Sequence, residues 1–418
     1  MEATRSQLAD ESVTFDDINA AAVRVRGAVE RTPLARSRTL GAITGADVWV
    51  KFENLQYTAS FKERGARNRL LLLPDDVGGV VAASAGNFAQ GVAHHATELG
   101  IPAAIVMPTA TPNVKSSRTS ILGAEVIKVG ASFDEAAEYA KQLAADRGWE
   151  LLSAFDDPDV IAGQGGVALE IVEDLPDVEA VVVPVGGGGL IAGMAIALRR
   201  LRPEVEIVGV QTERCPSVCN ELSGVAAEVT GSTIAEGIAV KRPGRRTIAI
   251  IRDLVDRVEI VSEARIEEAI ALYLEVEKTV AEGAGAASLA ELLTRPDRYA
   301  GRRTAVVLSG GNIDSRELAS VMLRQLVRSG RLGTIWVQVD DRPGTLGAIT
   351  TAIGEGGGNI VEVAHRRLDP AVPARATSIE LTIETTGNDH LDSIVDRLRD
   401  LGFEVLTAAD SVPWTIGE

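Results

Sequence analysis

The chain has 418 residues, 45% of them apolar, and a formal net charge of −17. That length allows two or three domains around a large core. The acidic balance excludes a nucleic-acid partner, whose phosphates need a basic face, and mainly favours solubility. No apolar run reaches the roughly 18 residues needed to cross a bilayer, so no membrane association is expected. The polar start M-E-A-T-R-S-Q-L offers no apolar core for a secretory signal. Two cysteines, Cys215 and Cys219, make no disulfide framework, so a reducing, cytoplasmic setting is expected.

Residues 1–13 are polar and read as a mobile tail. Thr14 is placed to cap a helix over 15–30, with Asp16 and Asp17 at its positive end. Arg31, Thr32, Pro33 and Leu34 end it. A strand at 48–51 leads into a polar loop holding Glu53, Asn54, Gln56, Thr58 and Ser60, and helical spacing resumes at Lys62. A buried strand at 78–83 runs into Ser84-Ala85-Gly86-Asn87 and a helix through 99. Strands at 101–107 and 123–129 alternate with helices at 111–122 and 133–147. Such alternation implies a parallel sheet with helices on both faces. A second unit begins near 150, and 15–48 are expected to fold back onto it. Its strands are 178–185, 206–210, 258–261 and 304–308; its helices lie at 192–201 and 264–278, with a small-residue run at 282–287. It closes on Ser309-Gly310-Gly311-Asn312.

Composition shifts at 328–331. Strands at 334–339, 359–366, 376–384 and 403–408, with helices at 345–354 and 391–401, spell βαββαβ, a ferredoxin-like unit. The expected division is therefore 1–330 and 331–418, with a smaller subdomain of about 50–150 inserted in the first part.

Three strand- or loop-to-helix junctions carry the candidate chemistry. Lys62 sits at a helix start, where burial and the helix dipole both disfavour the ammonium; an amine so tuned can form a Schiff base with an aldehyde cofactor. The bland alternative is a helix-start lysine paired with Glu63. Gly186, Gly187, Gly188 and Gly189 follow a strand and open a helix, so their amides can surround a phosphate. The spacing is no dinucleotide fingerprint, since position 191 is Ile191, and no P-loop lysine follows. Four consecutive glycines are costly as a mere turn. The amides of 84–87 can hold a carboxylate in the same way, or Ser84 can be an ordinary N-cap.

Read from Ser60 to Ala66, S-F-K-E-R-G-A resembles the cofactor-lysine motif of the pyridoxal-phosphate threonine/serine dehydratases, enzymes of fold type II (tryptophan synthase β-like). The three motifs agree with that family in order and context, and the resemblance spans nearly the whole chain. It implies two open parallel-sheet subdomains and pyridoxal 5'-phosphate held by Lys62, Phe61, Asn87, Gly186, Gly187, Gly188, Gly189, Leu190 and Ser309. The substrate amino acid would meet Ser84, Ala85, Gly86, Gln90 and Glu282, although Glu282 serves equally as a carboxylate at a helix start. Ser309 would meet the pyridine nitrogen with a neutral donor, which does not keep it protonated as a carboxylate would. Two departures matter: Phe88 stands where the family usually has histidine, and Ala85 where serine racemases carry an acid/base serine. Ala85 cannot transfer a proton, which favours elimination.

The turn Asp341-Arg342-Pro343-Gly344 before a helix resembles an ACT domain, whose family binds amino acids between paired copies. An amino-acid effector, isoleucine or valine, is expected near Asp341, Arg342, Pro343, Gly344, Leu346 and Asn359. The resemblance implies a medium-length threonine ammonia-lyase of isoleucine biosynthesis, allosteric and a homodimer or homotetramer, with serine as a second substrate. The rivals are a hydroxyaspartate dehydratase, a serine racemase, and an inactive amino-acid sensor. No metal is expected: Gln211 replaces a glutamate of the cation site in some relatives, and Cys215 and Cys219 lack a nearby histidine. His94 and His95 read as packing or surface residues.

Overall fold

A computed structural model describes residues 13–225, 227–230, 232–366 and 376–407. The chain divides into two compact units, the first ending at Ile313 and the second starting at Asp314. The helix Ser315–Arg328 thus counts with the second unit, ahead of the composition shift. The tail expected at 1–13 lies outside the described residues except for Val13, which is buried in the core.

Ten strands make two sheets in the first unit: β1 (Leu34–Ser37), β2 (Asp47–Phe52), β3 (Val80–Ala83), β4 (Ala103–Met107), β5 (Glu125–Lys128), β6 (Glu150–Leu152), β7 (Ala180–Pro184), β8 (Glu206–Thr212), β9 (Arg257–Val261) and β10 (Arg303–Leu308). The larger sheet runs β1-β2-β10-β7-β8-β9, parallel except for the antiparallel edge strand β1. The smaller runs β5-β4-β3-β6 and is wholly parallel. The central strands are buried on both faces, and β7 is accordingly a run of valines. The strand read at 48–51 belongs to the larger sheet, so the smaller sheet takes its strands only from Val80 to Leu152.

Local chemistry explains where elements begin and end. Thr14 and Asp17 form the reciprocal capping box at the first helix, Phe15–Arg24. That helix stops short of residue 30 because Gly27 takes a left-handed turn at φ +82°. A helix at Pro158–Asp174, absent from the sequence reading, begins at an Asp157 N-cap with proline at its first position. It crosses Gly189–Leu201 so closely that a Cβ on Gly193 would collide with the Ile161 carbonyl.

The second unit carries β11 (Leu332–Asp340), β12 (Asn359–Arg366), β13 (Ala376–Glu384) and β14 (Glu404–Thr407), antiparallel in the order β12-β13-β11-β14. Ile335, Val337 and Val339 alternate inward from β11 and pack with Ile349, Ile353, Ile394 and Leu398 of the helices Thr345–Glu355 and Asn388–Asp400. This is the βαββαβ unit read from the alternation.

Candidate active site

The first unit gathers its polar loops at the C-terminal ends of strands in both sheets, the usual ligand position in open parallel sheets. Lys62 opens the helix Lys62–Leu70. The segment before it is strapped to the loop after β10. Phe61 N–H donates to the Ser309 carbonyl (3.1 Å), Gly311 N–H to Ala59 (2.9 Å), and Asn312 Nδ2 to Thr58 (2.7 Å). Ala59 accepts a left-handed φ of +57° to make this turn.

Behind Lys62 lies a buried ionic network. Arg64 donates to Glu53 through Nε and Nη2, both at 2.8 Å, and to Glu170 through Nη1 at 2.7 Å. Lys51 reaches Glu170 and donates to the Thr32 carbonyl (2.6 Å). Lys51, Glu53 and Arg64 are all buried. Burial alone would raise the Glu53 carboxyl, but the Arg64 charge and hydrogen bonds hold it below the usual range.

The Lys62 Nζ donates to the Ala154 carbonyl (3.1 Å) and lies 5.0 Å from the centre of the Phe61 ring. Desolvation pulls its pKa from 10.5 to about 8, against the attraction of Glu282. Glu282 Oε1 accepts from Asn87 Nδ2 (2.7 Å), and Asn87 Oδ1 accepts from Asn312 Nδ2 (2.8 Å). Burial pushes Glu282 up to about 7, opposed chiefly by the Asn87 bond and Lys115. Lys62, Asn87, Glu282 and the Ser309–Asn312 loop are therefore brought together. Ser309 is buried.

The glycine loop forms a cradle that side chains would fill. Gly188 is left-handed at φ +93° and caps the helix Gly189–Leu201. A Cβ on Gly187 would collide with the Phe155 ring, and one on Gly189 would meet the Phe155 backbone at 3.0 Å. The Gly187 carbonyl accepts from Thr247 Oγ1 (2.7 Å). Gly186, Gly187, Gly188, Gly189 and Leu190 are buried. Among the described residues, no acceptor meets the amides of the four glycines, a condition that buried N–H groups rarely sustain without a ligand. A Gly187→Ala variant is expected to lose about 1–3 kcal/mol of stability from overpacking against Phe155 and to retain less cofactor. Urea unfolding and the cofactor content after gel filtration check both.

At the third junction Gly86 precedes the helix Asn87–Glu98, and no side chain caps it. Ser84 Oγ instead accepts from Gly86 N–H (3.4 Å), so the N-cap alternative for Ser84 is set aside. Ala85 is half-buried and Gln90 buried. Phe88 points away from these loops into the smaller sheet's core, so an apolar residue there follows from packing. Gln211 is fully buried; its Oε1 accepts from the Val218 and Cys219 amides (2.9 and 3.0 Å) and its Nε2 donates to Val185. In the second unit, 341–344 turn between β11 and the helix Thr345–Glu355. Arg342 pairs with Asp340 (2.8 Å), Gly344 is left-handed, Leu346 is partly exposed, and Asn359 donates to Glu384 (3.0 Å).

Three neighbours of the site escaped the sequence reading: the Ala154 carbonyl, Phe155, and Asp156, whose carboxylate accepts from the Arg245, Arg246 and Thr247 amides at a helix start. The signal was Asp156-Asp157-Pro158, a helix-opening string that fixes the segment just before it.

Residues 25–310 match the family model of the pyridoxal-phosphate dependent enzymes, and 334–403 match the ACT domain. The chain belongs to the pyridoxal-phosphate dependent enzyme family. It is 46% identical to the L-threonine ammonia-lyase of Thermotoga maritima over 397 residues, 94% of this chain and 99% of that one. It is 44% identical to the L-threonine ammonia-lyase of Geobacter sulfurreducens over 386 residues, 91% of this chain and 96% of that one. Among solved structures, a threonine deaminase from T.th. superposes with a TM-score of 0.69 at 38% identity, covering 72% of this chain and 99% of that one. Maize serine racemase reaches 0.69 at 31% identity, covering 76% and 99%. The fold type II architecture and the C-terminal ACT domain expected from the sequence are thus those of its relatives. The residues fit the family's cofactor. A lysine whose pKa is drawn to about 8 can meet an aldehyde, and unmatched buried amides at a helix start suit a phosphate.

Capture of the aldehyde needs a neutral amine. The rate at which cofactor-free protein takes up pyridoxal phosphate is therefore expected to rise with pH and level off above about 8. Stopped-flow absorbance checks this; a rate still climbing at the ordinary lysine value of 10.5 would contradict it.

Proposed function

We propose that the protein is a threonine ammonia-lyase, converting L-threonine to 2-oxobutanoate and ammonia, with L-serine to pyruvate as a second activity. The observation that carries this reading is Lys62: a desolvated amine at a helix start, held beside Glu282, Asn87 and the glycine cradle in a chain so similar to L-threonine ammonia-lyase.

Bound pyridoxal phosphate supplies the aldehyde that captures the amino group and the electron sink that acidifies the α-carbon. In this reading Phe61, Asn87, Gly186 to Leu190 and Ser309 hold it, with the glycine amides at its phosphate. The amides of 84–87 orient the substrate carboxylate, near Gln90. Lys62 Nζ, its pKa drawn down to about 8 so that the neutral amine is accessible, takes the α-proton. Glu282, poised near pH 7, holds or releases a proton beside Asn87. Water is lost across the Cα–Cβ bond, and water taken up later releases ammonia. Ser309 would offer only a neutral donor to the ring nitrogen, so loss of the α-proton stays coupled to departure of the β-hydroxyl. Ala85 offers no proton donor, which favours elimination over the racemisation named for the maize neighbour.

A pocket that prefers threonine by one methyl discriminates only by about 1–3 kcal/mol. Serine is therefore expected to react with a kcat/KM about 10–200-fold lower. A steady-state assay with threonine, serine and hydroxyaspartate tests the reading, and hydroxyaspartate as the best substrate would replace it. We also propose an amino-acid effector, isoleucine or valine, at Asp341 to Leu346 and Asn359. It rests on the ACT domain and the exposed turn at 341–344. The same assay run with added amino acids, on the full chain, reads it out.

A further inference from the structure

A second cluster of reactive side chains lies between Lys62's own helix and the helix after Gly86. Glu63 follows Lys62, while His94 and His95 come from the helix Asn87–Glu98, and one ligand atom from each lies within 4.8 Å of the others. The two helices pack tightly: Gly91 sits directly against Glu63 and Ala66. His95 is fully buried and Glu63 nearly so. The His94 ring stacks on Tyr57 (centroids 4.4 Å apart) and lies 4.6 Å from the His95 ring.

The decisive detail is His95. Its Nδ1 lies 3.3 Å from Glu98 Oε2. Its Nε2 faces Glu63 Oε2 at 3.4 Å and has no hydrogen-bond partner, although it is buried. The contact does not make an ordinary hydrogen bond, so the buried Nε2 stands unpaired. The separation matches the edge of a coordination tetrahedron, since metal–ligand bonds of about 2.0–2.2 Å at tetrahedral angles set neighbouring N and O ligands about 3.4 Å apart. The Glu98 carboxylate stands where metal-binding histidines keep their outer partner; a proton on Nδ1 facing it leaves the Nε2 lone pair toward the gap. Glu63 is fixed too, since its Oε1 accepts from the Thr58 amide.

We propose that Glu63, His94 and His95 bind a divalent first-row transition cation of the zinc class, which ties the helix bearing Lys62 to the helix bearing Asn87. Two imidazoles and a carboxylate select zinc, cobalt or nickel over magnesium and calcium, which prefer all-oxygen cages. The site stands on residues that take no part in the proposed reaction, so it can fail without that reading failing.

Co²⁺ is the probe. Full-length, cofactor-loaded protein is stripped with chelator and titrated while the visible d–d bands of cobalt are followed. The expected result is one Co²⁺ per chain, displaced by Zn²⁺ and not by Mg²⁺, with the melting temperature raised by Zn²⁺. Loss of a direct ligand in His94→Ala or Glu63→Gln is expected to weaken binding at least as much as the about 10–100-fold typical of outer-shell changes. His94 is half-buried and its ring stacks on an exposed tyrosine, so His94→Ala keeps the test meaningful if Glu63→Gln misfolds; its cofactor absorbance reports folding. No d–d bands in the parent, or bands unchanged in a folded His94→Ala, overturns the proposal.

Discussion

Replacing Lys62 by alanine is expected to lower kcat/KM for threonine by at least about 10³-fold, within the range of about 10²–10⁴ for losing a positioned acid or base. The covalent cofactor absorbance is expected to vanish with it. Two proposed roles end together, since in that reading the same Nζ captures the aldehyde and takes the α-proton. The fold has little at stake, because the amine makes one hydrogen bond, to the Ala154 carbonyl, and alanine is a good helix former. A urea midpoint close to the parent's therefore accompanies the loss. Lys62→Arg is expected to be as inactive, because a guanidinium stays protonated and cannot act as base or nucleophile. If Lys62→Ala released keto acid from threonine at the parent's rate, the proposed reaction would fall. If the parent itself showed neither bound absorbance nor turnover, the sensor reading would stand.

The candidate site loops were legible because glycines and polar residues at strand ends have few structural excuses. Four glycines after a valine strand, and a lysine opening a helix after Ser60-Phe61, mark backbone positions that must approach a ligand. The alternating strands of the second unit were legible for a related reason. Ile379, Leu381 and Ile383 enter one core from alternate positions of β13, and the sequence repeats that rhythm. What stayed hidden depends on partners far along the chain. Lys51 closes a strand in the sequence, and nothing local shows that Glu170, 119 residues away, meets it. Phe88 reads as a departure from a polar motif, because only the fold shows that its side chain belongs to the smaller sheet's core. His94 and His95 lie on one helix with no local sign that Glu63 faces them. The short strands β1 and β6 and the helix Pro158–Asp174 fell between stronger signals.

The largest stability effect is expected from Arg64→Met. Arg64 spans Glu53 and Glu170 beneath the lysine helix, and without it, among the described residues, Glu53 keeps Lys51 at 4.0 Å as its one cationic neighbour. Stranding a buried charge in this way costs about 3–5 kcal/mol, a large share of the stability of any domain. Activity should fall as well, because a shift of about 1 Å at the reacting amine can cost about 10²-fold. The pH signature separates this cause from simple mispacking. In the parent, Arg64 holds the Glu53 carboxyl below 4.5, so its contribution is present above that value and lost only in acid. In the variant burial prevails and raises the same carboxyl. Its penalty is then relieved as pH falls through the raised value toward 4.5, so the gap between parent and variant narrows from pH 8 to about pH 5. Urea unfolding at both ends of that window measures it. Adding Glu53→Gln removes the stranded charge and should recover most of the loss. A gap that is small, or constant with pH, would mean that the network does not hold the Lys62 segment in place.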